Sequence, residues 1–258
     1  MTTLRQDPAP TLPGPVGAAT ILTGMDATVA GLAASRLFDS LVPAERDGVL
    51  ARASRRTIAR GRALFRQGEP ATTLYLIERG YLKLTQVTAD GSEVIIRFAG
   101  PGAPIGGVAA LGGAVYPITA TAADTADVVG WSGTSLIATL EQHPAIRTNI
   151  MREMSTHMGE ALMRVGELSS ERVTQRIARA LLRVAEHCGR ATLTTVEIPH
   201  ALTRQELAEM AGTTLFTVSR ILTEWESAGL VRSARARVRI TNVPSLRSLA
   251  EDGDLPSP

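Results

Sequence analysis

Arg220 stands with Phe216, Ser219 and Thr223 on one side of a helical repeat, and Val218, Ile221, Leu222 and Trp225 fill the other side at i, i+3, i+4, i+7. An arginine in this setting can bond O6 and N7 of one guanine together. A phenyl ring can pack on a thymine methyl, and Ser219 and Thr217 can position on bases or backbone. That is the chemistry of reading a DNA major groove. The preceding residues supply a mount for such a helix. Thr203 and Glu206 form a T-x-x-E capping box, and Leu207, Met210 and Ala211 give one apolar side. Gly212 permits a sharp turn, and Thr213 or Thr214 can cap the next helix. Two helices so joined fit a helix-turn-helix. An ordinary helical hairpin has the same periodicity, and the next stretch favours the first reading. "GLVRSARARVRI" alternates apolar and basic residues, with Arg232, Arg235, Arg237 and Arg239 close together, as in a wing laid near phosphates. The expected DNA contacts are Thr203, Arg204, Thr214, Leu215, Phe216, Thr217, Ser219, Arg220, Arg235 and Arg237.

The rest of the chain must carry this unit. With 258 residues and 44% hydrophobic side chains there is material for about two domains. Net charge is only +2, so DNA binding rests on how charge is arranged; residues 169–252 hold 12 Arg against 9 Asp plus Glu. Residues 1–32, rich in Pro, Ala, Gly and Thr, are expected to be a disordered arm. Residues 33–60 show helical spacing at Leu37, Phe38, Leu41 and Leu50. From 63 to about 131 the period becomes two, with Asp90-Gly91 as a hairpin turn before Val94, Ile96 and Phe98, which predicts a small β-roll. Helical spacing returns at Pro144. Ile146, Ile150, Met154, Met158, Ala161, Val165 and Leu168 recur over about seven turns, long and narrow enough for a two-stranded dimer contact. The expected interface is Ile150, Met154, Met158, Ala161 and Val165. A further helix ends at Gly189. The predicted fold class is thus α+β: a jelly-roll-like β-roll with N-terminal helices (33–143), a dimerisation helix (144–168), a winged helix-turn-helix (169–248) and a flexible tail (249–258).

Several function classes are disfavoured. Cys188 is the single cysteine, so there is no internal disulfide and no four-cysteine iron–sulfur or zinc site. It could act as a redox switch or be a buried inert thiol. No signal peptide or membrane span is evident, so a cytoplasmic protein with no membrane partner is expected. No Ser-His-Asp set or carboxylate constellation stands out, and "GGVAALGG" lacks the lysine of a phosphate loop. No histidine precedes His143, which argues against a metal-dependent cupin enzyme, whose barrel holds a His-rich site.

The order of parts resembles the Crp/Fnr family of bacterial transcription regulators. "LFRQGEPATTLYLIERGYLKL", "VTQRIARALLRVAE" and above all "LTRQELAEMAGTTLFTVSRIL" carry the resemblance, which spans roughly 37–240. It implies a homodimer on a twofold DNA site, RNA polymerase as a partner, and an effector pocket between roll and dimer helix. The pocket positions are Gly106, Gly107, Pro117, Ile118, Thr119, Ala161 and Leu162. Cyclic-AMP-binding members carry Gly-Glu where this chain has Gly106-Gly107, and Arg-Ser where it has Pro117-Ile118. On the dimer helix they carry Thr-Ser where Ala161-Leu162 stand. A buried cyclic phosphate would lack a countercharge, which argues against cyclic AMP. The reading leaves three options: haem, a small apolar effector, or a pocket filled by its own side chains. For haem, His157 on the dimer helix is the nearest histidine; His187 and His200 lie past the hinge. One turn before Arg220, many members carry Glu where Phe216 stands here.

Overall fold

The computed structural model describes residues 32, 35–191, 195–234 and 237–253. The expected arm (1–32, apart from Leu32), the expected phosphate contact Arg235 and the last five residues lie outside this set.

A one-turn 3-10 helix, Arg36–Phe38, is capped by the Ser35 hydroxyl and precedes α1 (Pro43–Ala51), which opens on its proline. The strands follow: β1 (Ser54–Ile58), β2 (Ala63–Phe65), β3 (Thr73–Arg79), β4 (Leu82–Val87), β5 (Glu93–Ala99), β6 (Pro104–Ile105), β7 (Thr119–Ala122) and β8 (Ala126–Ser132). They form two antiparallel four-stranded sheets, ordered β1-β8-β3-β6 and β2-β7-β4-β5. β3 is buried on both faces for six residues. One side packs inside the roll through Tyr75 and Ile77. The other packs under the helices through Leu74 and Leu76, with Trp131 donating from Nε1 to the Val49 carbonyl at 2.9 Å.

Two short helices were not foreseen: α2 (Gly107–Gly112), inside the glycine-rich stretch, and α3 (Gly133–Gln142), which begins before Pro144. The helical expectation for 33–60 also ran too far, because 54–58 pairs with β8 as a strand. Five residues of β1 are too few for either periodicity to declare itself, and only Ile58 is buried.

α4 (Pro144–Ser170) runs 27 residues, and α5 (Val173–Cys188) turns back from it. β9 (Arg190–Ala191) and β10 (Val196–Glu197) lead to α6 (Arg204–Ala211) and α7 (Leu215–Ser227). β11 (Val231–Ala234) and β12 (Arg237–Ile240) make the wing hairpin, in one sheet ordered β11-β12-β10-β9. α8 (Val243–Asp252) closes the chain. Leu249 and Ala250 on it are buried, so the tail expected from 249 starts no earlier than 253.

The helix-turn-helix unit is seated on the roll. Ile95 and Phe98 of β5 and Tyr81 share one apolar cluster with α5, α6 and α7. Lys83 of β4 pairs with Glu206 of α6 at 3.3 Å. Arg164 of α4 donates to the carbonyls of Ile96 (2.7 Å), Ile95 (3.1 Å) and Met210 (2.7 Å), so one guanidinium joins the long helix, the roll and α6.

Candidate nucleic-acid interface and effector cleft

The helix-turn-helix is built as its sequence dictates. Thr203 caps α6: its hydroxyl accepts from the Glu206 N–H at 3.1 Å, while Glu206 accepts from the Thr203 N–H at 2.9 Å. Gly212 ends the helix in the left-handed region, φ 60°, which glycine adopts without strain. Thr214 then caps α7 by accepting from the Thr217 N–H at 3.2 Å. Val218, Ile221, Leu222 and Trp225 are buried, and the opposite face is bare. Phe216 is 79% exposed, a cost in water that contact with a partner would relieve. Arg220 is held by Glu224 at 2.6 Å, one turn along the same surface.

Thr203, Arg204, Leu215 and Arg237 gather around one depression of about 460 Å³. In the wing, Arg232 lies directly opposite Arg239, an unfavourable like-charge pair; Glu197 takes Arg239 at 3.6 Å. No acidic residue interrupts the wing arginines along the sequence, but in space Glu197 lies beside Arg239.

α4 carries two apolar stripes that one-dimensional spacing had merged. Ile146 and Ile150 are buried in the chain's own core, and Met154 packs partly against it. Ile150 is accordingly corrected from an interface residue to a core residue. Asn149, on the same side, donates to the Leu37 and Asp39 carbonyls. The bare stripe is Met151, Met158, Leu162 and Val165, each 59% exposed or more. Their spacing of seven, four and three is that of alternating heptad core positions. Of the expected interface, Met158 and Val165 belong to it, and Ala161 lies beside it.

A cleft of about 870 Å³ opens between the roll, α4 and α5. Gly106, Gly107, Pro117, Ile118 and Ala161 line it as expected. Two expected residues do not. Thr119 uses its hydroxyl to accept from the Gln67 N–H at 3.0 Å, and Leu162 belongs to the bare stripe. At the turn, Gly106 has φ 75°, and a Cβ there would sit 2.9 Å from the Tyr116 ring. A Cβ at Gly107 would sit 2.7 Å from Leu74 Cδ1. Phe65 and Tyr116 stack beside this turn with ring centroids 3.9 Å apart, and the Tyr116 hydroxyl is fixed between the N–H and carbonyl of Thr73.

The countercharge missing from Gly107, Pro117 and Ile118 is present at the other end of the cleft. Arg97, Arg164 and Arg183 line the cleft with Glu153, His157, Glu160 and His187. Their positions are scattered over β5, α4 and α5, so no sequence motif announces them. His157 sits 3.3 Å from Glu153, and His187 sits 3.3 Å from Glu160. Hydrogen bonds from these histidines hold both carboxyls below the usual range, and Glu160 raises the His187 pKa in return. His157, on the long helix, therefore faces the cleft.

Burial pushes the Cys188 thiol up to about 12, leaving no thiolate at neutral pH, so the redox-switch option loses its chemical basis. His200 is buried between Tyr81 and Phe98, with ring centroids at 5.1 and 4.4 Å and no hydrogen bond on either nitrogen. Among the described residues no helix is long and apolar enough to cross a membrane, and no His, Cys, Asp and Glu cluster could hold a metal.

Residues 55–143 match the family model of the cyclic nucleotide-binding domain, and residues 175–249 match that of the Crp-like helix-turn-helix domain. The cyclic AMP receptor protein of Thermus thermophilus is 29% identical over 216 residues, covering 84% of this chain and 97% of that protein. The transcriptional activator protein anr of Pseudomonas aeruginosa is 28% identical over 195 residues, covering 76% and 80%. A solved CRP-family transcriptional regulator, also from Thermus thermophilus, superposes with a TM-score of 0.63 at 25% identity, covering 76% of this chain and 96% of that one. Roll, long helix and winged helix-turn-helix stand in the same order in this chain, which belongs to the Crp/Fnr family of DNA-binding transcription regulators.

Proposed function

We propose that this regulator works as a homodimer on a twofold DNA site. The dimer forms through the bare stripe of α4, and α7 reads bases through Phe216, Ser219 and Arg220. Thr203, Arg204, Thr214, Leu215 and Thr217 contact backbone or bases around them, while Arg237, with Arg235, rests on phosphates. The observation that carries this reading is the division of α7: four buried anchors on one side, and an exposed phenyl ring and guanidinium on the other. Selection from a randomised half-site library, with sedimentation of the selected complex, tests it. A twofold site bound by two chains is expected; a single half-site bound by one chain would overturn the dimer.

The cleft is the effector site in this proposal, and cyclic AMP is not the effector. The Thermus relative is named for cyclic AMP, but Gly107 here offers no carboxylate to a ribose, and the Leu74 methyl would have to move for a side chain there. The Phe65–Tyr116 stack further closes the turn, and the cations of the cleft come from β5, α4 and α5 rather than from 117–119. Haem is the second reading, favoured by His157 in the cleft, whose Nε2 would have to leave Glu153 at 3.3 Å. His187 is already committed on both ring nitrogens, to Glu160 and to the Arg183 carbonyl. An intense absorption band near the violet edge of the visible in the purified protein would decide for haem.

A further inference from the structure

We infer that the cleft takes a small molecule with an apolar, ring-sized body and a single carboxylate, and that Arg97 receives the carboxylate. This rests on reading the cleft as the effector site.

The argument starts in β5. Pairing with β4 runs Lys83↔Phe98, Leu84↔Arg97, then Thr85↔Ile95, so Ile96 is an extra residue in the ladder. Without it, Ile95 and Phe98 would point to opposite faces. The bulge puts both against the DNA-binding unit and leaves Arg97 on the face of its partner Leu84, which is core to the roll. An arginine is thereby aimed inward, at a position where a sheet of this kind places an apolar residue.

The other charged groups of the cleft are spoken for. Glu153 has His157, Glu160 has His187, Arg183 has Glu167 at 2.7 Å, and Arg164 has its three carbonyls. Among the described residues Arg97 has neither a hydrogen bond nor an ion pair, and burial lowers its pKa. Its guanidinium, which can donate from five N–H groups, belongs to a residue that lines the cleft, and no protein acceptor is paired with it among the described residues. A carboxylate matches a guanidinium in shape and charge. A dianion is disfavoured, because the nearby carboxylates Glu160 and Glu153 already act on Arg97 and would repel a second negative charge. The remaining wall suits a ring or short alkyl body: Leu84, Ile105, Ile118, Met154 and Met158 line it. A cleft of about 870 Å³ lies in the range of small-molecule sites. Val184 of α5 and Met210 of α6 also border it, so an occupant touches the elements that carry the DNA reader.

The test uses the full-length protein and calorimetric titration with benzoate, phenylpropionate and octanoate, each beside its amide, and with phenyl phosphate. At least one acid should bind ten times more tightly than its amide. Arg97→Met should abolish that preference, and Arg97→Lys should keep part of it, with helix content and sedimentation unchanged. Equal binding of acid and amide, or tighter binding of phenyl phosphate, would overturn the assignment of a carboxylate to Arg97 while leaving the cleft as an effector site. Binding of neither acids nor amides would overturn both. If Arg97→Met fails to fold, Arg97→Lys carries the assignment to Arg97, and equal binding of acid and amide by the native chain still overturns it.

Discussion

Glu224 restrains the proposed base-reading arginine, and removing that restraint should tighten DNA binding. The Arg220–Glu224 pair spans one turn at 2.6 Å, with side chains 57% and 52% exposed. Exposed pairs of this spacing contribute about 0.3–0.5 kcal/mol after solvent screening. A bidentate arginine–guanine contact discriminates by about 1–3 kcal/mol. Reaching guanine costs Arg220 the first quantity and returns the second, a net of roughly 0.5–2.5 kcal/mol per half-site, or about 2- to 70-fold. Arg220→Ala should lose that factor at each half-site and relax preference at one base pair. Glu224→Gln should gain about twofold per half-site, because the arginine no longer leaves a partner. Fluorescence anisotropy on the selected site, on a site changed at the guanine and on random DNA separates the effects. If Arg220→Ala selects the same bases as the parent protein, α7 is not the reader. If Glu224→Gln weakens the selected site alone, Glu224 is itself a base contact and the restraint argument fails.

Met158→Glu should yield monomers in sedimentation and abolish retardation of the twofold site; an unchanged dimer mass would move the interface off the stripe of α4. Arg237→Ala should weaken binding to every sequence and flatten its salt dependence, and a sequence-selective loss would contradict a phosphate contact. Titration with cyclic AMP should release no heat, whereas micromolar binding with tighter DNA association would refute the reading of the Gly106–Gly107 turn. His200 has its pKa lowered by burial to about 4 from 6.5. Between those values the unfolded chain binds the extra proton, so stability falls as pH drops through the window, by about 2 kcal/mol at pH 5 relative to pH 8. Thermal melts of His200→Phe should show a smaller loss over that range, and an equal loss would clear His200 of the effect.

What could be read from the sequence was local. The Thr203–Glu206 box, the Gly212 turn and the anchors of α7 each depend on residues within one or two turns, and all three appear where spacing put them. The bulge at Ile96 could not be read, because it depends on which residues of β4 lie opposite; alternation had set Val94, Ile96 and Phe98 on one face. On α4 the two stripes interleave, and only the presence of the roll on one side separates Ile150 from Met151. The charged end of the cleft stayed hidden for a similar reason: Arg97, Glu160 and His187 are far apart in the chain and meet only when α5 folds back over β5.

Arg164 grips three main-chain oxygens and no side chain. Every residue type presents that oxygen, so Ile95, Ile96 and Met210 can be exchanged without removing what Arg164 holds. Apolar substitutions at these positions therefore leave the tie between roll and α6 in place, and under the effector proposal the molecule admitted can change while that tie is kept. In the proposed effector site, what is bound and what joins the roll to α6 are set by different atoms.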